Sequence, residues 1–213
     1  MTPLIAIVDY GMGNLHSVEK ALQRLGFRSL ITSDPDQVLR AAAVILPGVG
    51  AYADAMSALR RQGLDGALRR TAALGRPLLG ICLGLQLLFD FSEENGGVEG
   101  LGILPGRVQR LPEGAGLKVP HMGWNRLDIT RSTALLRDLP PQPHVYFVHS
   151  YHVVPDDPRV TIATAPYGLD LVAAASRENC HGVQFHPEKS AEAGLRILSN
   201  FARLAAGSKE QSA

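Results

Sequence analysis

The chain has 213 residues, 46% of them hydrophobic, which suffices for one α/β domain with a sizeable core and leaves no room for a second full domain. A formal net charge of +1 sets up no field for nucleic acid or an anionic membrane, and the pairs Arg60-Arg61 and Arg69-Arg70 read as solvated helix faces. Two cysteines, Cys82 and Cys180, are too few for a disulfide framework and fit a reducing cytoplasm, and no apolar run approaches the roughly 20 residues that span a bilayer.

The first residues, Met1 to Asp9, lack a basic leader and read as a first strand at Leu4–Val8. A helix from about Asn14 to Leu25 stops at Gly26, and a strand follows at Arg28–Thr32. Ala43–Leu46 is a buried strand that runs into Pro47-Gly48-Val49-Gly50. Helical patterns cover Tyr52 to Arg61 and Leu64 to Leu74, broken by Gly63 and Gly75. Pro77–Ile81 reads as a short buried strand, and Leu85 to Phe89 as the start of another helix. Apolar strands alternating with helices predict a mostly parallel central sheet with helices on both faces, a flavodoxin-like α/β arrangement. Between Gly96 and Tyr151 short extended pieces rich in Gly and Pro predict a partly antiparallel excursion. From Ser190 a closing helix carries the apolar stripe Leu195, Leu198, Phe201, Ala202 and Ala205. Residues 1–206 read as one domain and 207–213 as a flexible tail.

Cys82 sits between the predicted strand and helix in Gly80-Ile81-Cys82-Leu83-Gly84. A nucleophile on such a turn has a strained backbone, and glycines beside it avoid clashes with the neighbouring strand and helix. The turn lifts the sulfur above the sheet edge, where the helix N-terminus favours the thiolate. A small buried cysteine on a core strand is the plain alternative. In Val183-Gln184-Phe185-His186-Pro187-Glu188, alternation predicts a strand that delivers His186 to its C-terminal end, where Pro187 turns the chain. Glu188 can fold back onto the imidazole and fix its tautomer, so Cys82, His186 and Glu188 make a nucleophile, base and orienter for acyl transfer. Both Cys82 and His186 fall at carboxyl ends of strands, where sites of parallel sheets lie. Acyl transfer also needs oxyanion donors. The Leu83 N–H follows the nucleophile, and the glycine-flanked Val49 peptide can turn either its N–H or its C=O toward the same edge. Neither this loop nor Gly11-Met12-Gly13 completes a phosphate-binding motif.

Together, Gly-Ile-Cys-Leu-Gly, Pro-Gly-Val-Gly and Phe-His-Pro-Glu resemble the class I, triad-type glutamine amidotransferases, which hydrolyse glutamine and hand ammonia to a synthase. Asp9–Leu15, Pro120–Asn125, Tyr146–Tyr151 and Gln184–Ser190 narrow the resemblance to the family of glutaminase subunits of imidazole glycerol phosphate synthase, of histidine biosynthesis. The likeness runs from about Leu4 to Leu204, and Ala53 stands where many such relatives carry glycine. The resemblance implies a Cys82 thioester and an oxyanion hole from Val49 and Leu83. It places glutamine against Gly50, Gln86, His149, Ser150 and Tyr151. It also implies a heterodimer with a (β/α)8-barrel cyclase, docked through Asn14, Trp124, Tyr146 and Lys189, with no cofactor and no metal.

The bland reading of Gln86 is a half-buried helix residue, and that of Trp124 is a core side chain. His149 and His152 have a spacing that suits metal ligation, but no further ligands complete a set. Two other functions fit parts of the pattern: a stand-alone thiol hydrolase of γ-glutamyl substrates, and a non-catalytic nucleotide-binding module that leaves the triad residues without a purpose.

Overall fold

The computed structural model describes residues 3–114 and 117–207. The first half winds as β1 (Leu4–Val8), α1 (Leu15–Arg24), β2 (Arg28–Thr32), α2 (Pro35–Arg40), β3 (Ala43–Gly48), α3 (Tyr52–Arg61), α4 (Leu64–Ala73) and β4 (Leu78–Cys82). A short helix, α5 (Leu83–Leu87), leads to β5 (Phe89–Ser92), β6 (Val98–Glu99) and β7 (Leu104–Arg110). Then come β8 (His121–Arg126), β9 (Asp128–Ile129), β10 (His144–His149), β11 (Tyr151–Pro155), β12 (Thr161–Pro166), β13 (Asp170–Arg177), β14 (Cys180–Val183) and α6 (Ala191–Gly207).

Eight strands form the central sheet in the order β2-β1-β3-β4-β14-β13-β12-β9. The five from β2 to β14 pair in parallel, and β13, β12 and β9 extend the sheet antiparallel. The two-residue period of the strands sorts their side chains into two cores. Ile5, Ile7, Ile45, Leu79 and Ile81 face α1 and α6, meeting Val18, Leu22, Ile197 and Phe201. Ala6, Val8, Val44, Leu46 and Leu78 face α3 and α4, meeting Met56, Leu59 and Leu68. The excursion is two further small sheets, β11-β7-β5-β6 and β10-β8.

Four local features differ from the sequence reading. Helix α2 goes unmarked by apolar periodicity because Val38 is its only buried residue; its signal is chemical, with the Asp34 carboxylate accepting the Asp36 N–H and Pro35 in the first turn. Helix α5 begins at Leu83 and stops at Leu87, because Phe89 is drawn into the pairing of β5 with β7. Strand β14 ends at Val183 rather than at His186: the chain leaves the central sheet there and the His186 N–H bonds to the Tyr146 carbonyl of β10 at 2.9 Å. Gly207, read as the first tail residue, closes α6, and the remaining residues read as tail, 208–213, lie outside the described residues. No helix among the described residues is long and apolar enough to cross a membrane.

Candidate active site

Register brings the chemistry together. Gly48 lies beside Cys82 in the β3–β4 pairing, and Val183 lies beside Ile81 in the β4–β14 pairing. The segments leaving β3, β4 and β14 therefore emerge side by side at one edge of the sheet. Cys82 closes β4 with φ 55° and ψ −111°, a left-handed conformation that costs a non-glycine residue about 1–3 kcal/mol. Its neighbours permit that turn because they have no side chains. A Cβ on Gly80 would meet backbone atoms of Gly84 and Leu85, and one on Gly84 would overlap the Leu46 carbonyl.

Within the turn, the His186 Nδ1–H donates to Glu188 Oε1 at 2.8 Å, with both side chains almost fully buried. Asn14 Nδ2 donates to the same oxygen at 3.3 Å, while Glu188 Oε2 has no hydrogen-bond partner among the described residues. Ser190 clamps the segment, its hydroxyl donating to the His186 carbonyl at 2.6 Å and accepting the Tyr146 N–H at 3.0 Å. His186 Nε2 is buried and makes no aligned hydrogen bond among the described residues. Burial works against its protonation, yet the adjoining Cys82 and Glu188 outweigh burial and raise its pKa to about 9. The imidazole therefore carries its second proton at neutral pH.

Cys82, His186, Val49, Gly50, Leu83, Gln86, His149, Ser150 and Tyr151 line one cavity of about 440 Å³, a volume within the usual range for small-molecule sites. As the first residue of α5, Leu83 has an N–H with no intrahelical partner. Tyr10 anchors the facing loop by donating its hydroxyl to the Pro47 carbonyl at 3.0 Å, and burial pushes that phenol's pKa upward. Gly50 adopts φ +90° with open space where a Cβ would stand.

His149 faces His121 rather than His152, its Nε2 3.0 Å from His121 Nδ1. His149 Nδ1 lies 2.9 Å from the Tyr151 carbonyl, which can only accept, so that nitrogen carries the proton. His149 Nε2 then accepts from His121 Nδ1, and His121 Nε2 accepts from Asn125 Nδ2 at 3.3 Å. The tautomers are thus set along the whole row. Burial lowers the pKa of His121 to about 4 and that of His149 to about 3, so both stay neutral. Among the described residues no group of three or more His, Cys, Asp or Glu side chains is placed to hold a metal ion.

The residues expected at a partner face gather beside the triad. Trp124 is 55% exposed, which rules out the core position. It meets Tyr146 edge-on with ring centroids 6.1 Å apart, and Lys189 Nζ lies 5.9 Å from the Tyr146 ring centroid. Neighbouring Met122 is 62% exposed. Sequence patterning does not mark Glu94, which lines the cavity and accepts the Tyr52 N–H at 2.9 Å, nor does it mark Gln184 and Ser190. Glu94 sits in a three-residue 3-10 turn where no periodicity flags it.

A family model described as "Glutamine amidotransferase class-I" matches residues 6–205. The chain belongs to the class-I glutamine amidotransferases. Similar members include the imidazole glycerol phosphate synthase subunit HisH of Moorella thermoacetica, 56% identical and aligned over 94% of each chain. The same subunit of Geobacillus thermodenitrificans is 51% identical over 96% of this chain and 97% of that one. Among solved structures, a putative GMP synthase protein from Thermoplasma acidophilum superposes with a TM-score of 0.74 at 20% identity, covering 99% and 98% of the two chains. PurLQS from Thermotoga maritima gives 0.76 at 19% identity, covering 95% and 99%. The amidotransferase fold is thus shared well beyond the sequences that resemble this one.

Proposed function

We propose that this amidotransferase is the glutaminase subunit of an imidazole glycerol phosphate synthase, hydrolysing glutamine and passing ammonia to a (β/α)8-barrel cyclase in cytoplasmic histidine biosynthesis. The observation that carries this reading is the left-handed Cys82 beside the buried His186–Glu188 pair at the edge of a ligand-sized cavity.

With the proton of Cys82 already held on His186 Nε2, the sulfur attacks as thiolate at the side-chain amide carbon of glutamine. Negative charge on the amide oxygen is met by the Leu83 N–H and by the Val49 N–H when that peptide points inward. Collapse of the tetrahedral adduct breaks the C–N bond, and the imidazolium protonates the leaving nitrogen, which departs as ammonia. The neutral imidazole next takes a proton from water as its oxygen attacks the thioester, and keeps it as sulfur departs as thiolate and glutamate leaves. Glu188 holds Nδ1–H and keeps Nε2 aimed at the reacting atoms.

Gln86 has committed both Nε2 hydrogens, to the Tyr151 carbonyl at 2.9 Å and to Gln184 Oε1 at 3.1 Å. Its remaining group toward the substrate is an acceptor, suited to the carboxamide NH₂ of glutamine. Glu94 supplies a carboxylate for the α-ammonium end, and Gly50 with the Ser150–Tyr151 segment lines the remaining wall. Trp124, Tyr146, Lys189 and Asn14 dock the cyclase, so that ammonia enters the partner instead of water. An exposed tryptophan packed on a tyrosine has the character of an interface anchor. The Val49 peptide acts as the switch, since losing one oxyanion donor costs about 10²–10³ in rate.

The test compares glutaminase rates of the chain alone, with cyclase, and with cyclase plus a nucleotide substrate analogue. A stepwise rise is expected. Equal rates would mean a preformed oxyanion hole, and a full rate without any partner would favour a stand-alone thiol hydrolase.

A further inference from the structure

Gln184 is completely buried, yet it lies two residues before the base and touches the nucleophile. Its Nε2 is 3.8 Å from Cys82 Sγ, within reach of an N–H···S hydrogen bond. The direction of its amide follows from the groups around it. The Tyr151 carbonyl can only accept, and Gln86 Nε2 donates to it at 2.9 Å. The same nitrogen lies 3.1 Å from Gln184, so the Gln184 atom it meets must be the carbonyl oxygen. That leaves the Gln184 NH₂ pointing at sulfur. The Tyr151 carbonyl also accepts from His149 Nδ1 at 2.9 Å, so it is itself held from two sides. One backbone carbonyl thereby sets the orientation of two successive side-chain amides, the second of which ends on the nucleophile.

We propose that Gln184 is a positioning residue for Cys82, holding the sulfur, in its charged form, toward His186 through an N–H···S bond whose direction is imposed by Gln86 and the Tyr151 carbonyl. The proposal rests on Cys82 being the nucleophile. Two features of the site give such a donor something to do. Helix α5 has only five residues and supplies little dipole behind the sulfur. The competing contact of Sγ is the Val148 carbonyl, also at 3.8 Å, which can only accept from a thiol and so favours the protonated sulfur. An amide donor at the same distance favours the unprotonated sulfur instead.

The experiment measures iodoacetamide alkylation of Cys82 in the full chain across pH, read by mass spectrometry of the Cys82 peptide. Cys180, whose thiol burial pushes up to about 11, serves as an unreactive internal reference. Gln184→Met removes the donor at similar length. It is expected to slow alkylation about tenfold at neutral pH and to move the midpoint of the profile up by about one unit. In the cyclase complex kcat should fall by a similar factor, with KM within about threefold. Gln184→Glu should be slower still above neutrality, where a carboxylate faces the sulfur, and recover toward acid pH as it regains a donating O–H. An unchanged alkylation profile in folded Gln184→Met, or identical profiles for the Met and Glu variants, would overturn the proposal. Alkylation needs no turnover, so glutaminase activity surviving in Cys82→Ser would remove the proposed function without altering this readout.

Discussion

Replacing Cys82 by glycine or by alanine separates backbone strain from side-chain chemistry. Both substitutions delete the sulfur, but alanine keeps the Cβ that makes φ 55° and ψ −111° costly, whereas glycine removes it. At an ordinary buried strand position, going from Ala to Gly loses about 0.5–1 kcal/mol of backbone entropy and about 0.8 kcal/mol for the buried methyl, or roughly 1.5 kcal/mol together. At Cys82 the relief of about 1–3 kcal/mol of strain opposes that loss. Taking the middle of each range, Cys82→Gly should be more stable than Cys82→Ala by about 0.5 kcal/mol. Ile81, one residue earlier on the same strand and equally buried, provides the control, and there the glycine variant should be less stable than the alanine variant by about 1.5 kcal/mol. Urea unfolding of the four variants measures both differences. The strained-elbow reasoning fails if Cys82→Gly is less stable than Cys82→Ala by the same margin as at Ile81.

Gly84→Ala drives a Cβ into the Leu46 carbonyl, backbone against backbone, and should destabilise by at least about 1–3 kcal/mol. Gly66→Ala, inside α4 with open space around the new methyl, should stabilise by about 0.5–1 kcal/mol; equal urea midpoints for the two would contradict the packing described. The raised pKa of His186, from 6.5 to about 9, means that its stabilising contribution is complete below about 6.5 and is lost as pH rises through about 9. Glutaminase rates and urea stability should therefore both decline on an alkaline limb near pH 9. In Glu188→Gln that limb should move to lower pH, and a limb that stays in place would show that Glu188 does not hold the imidazolium. Trp124→Ala should weaken cyclase binding by about 2 kcal/mol or more in titration calorimetry, with the glutaminase rate of the free chain unchanged; unaltered affinity would move the interface elsewhere.

What could be read from the sequence and what could not divide along contact distance. Strands β1 and β2 and helix α3 emerge with the bounds that apolar patterning gives them, because each is decided by neighbours along the chain. The turn at Cys82 was legible for a related reason. The two glycines at positions 80 and 84 are required by backbone passing within a Cβ's reach, and that requirement is written in the motif itself. Gln184 was not legible as a contact of the nucleophile. In an alternating segment it reads as one more polar residue, and its partners Gln86 and Cys82 are 98 and 102 positions away. The end of β14 was hidden similarly, since the Tyr146 carbonyl that pulls His186 off the sheet belongs to a different strand pair. Glu94 lies just before the Gly-rich excursion, in a three-residue 3-10 turn that gives no period to read.

The central claim is that Cys82 carries the acyl group of glutamine, and the most direct measurement is glutamine turnover by Cys82→Ser in complex with the cyclase and its nucleotide ligand. Unaltered circular dichroism and an intact complex would show that the variant is folded and docked. A hydroxyl at that position is not ionised by the neighbouring imidazole, so turnover should fall to background, by a factor on the order of 10⁶ as for nucleophile loss in other triads. Substantial turnover in that complex would contradict the account.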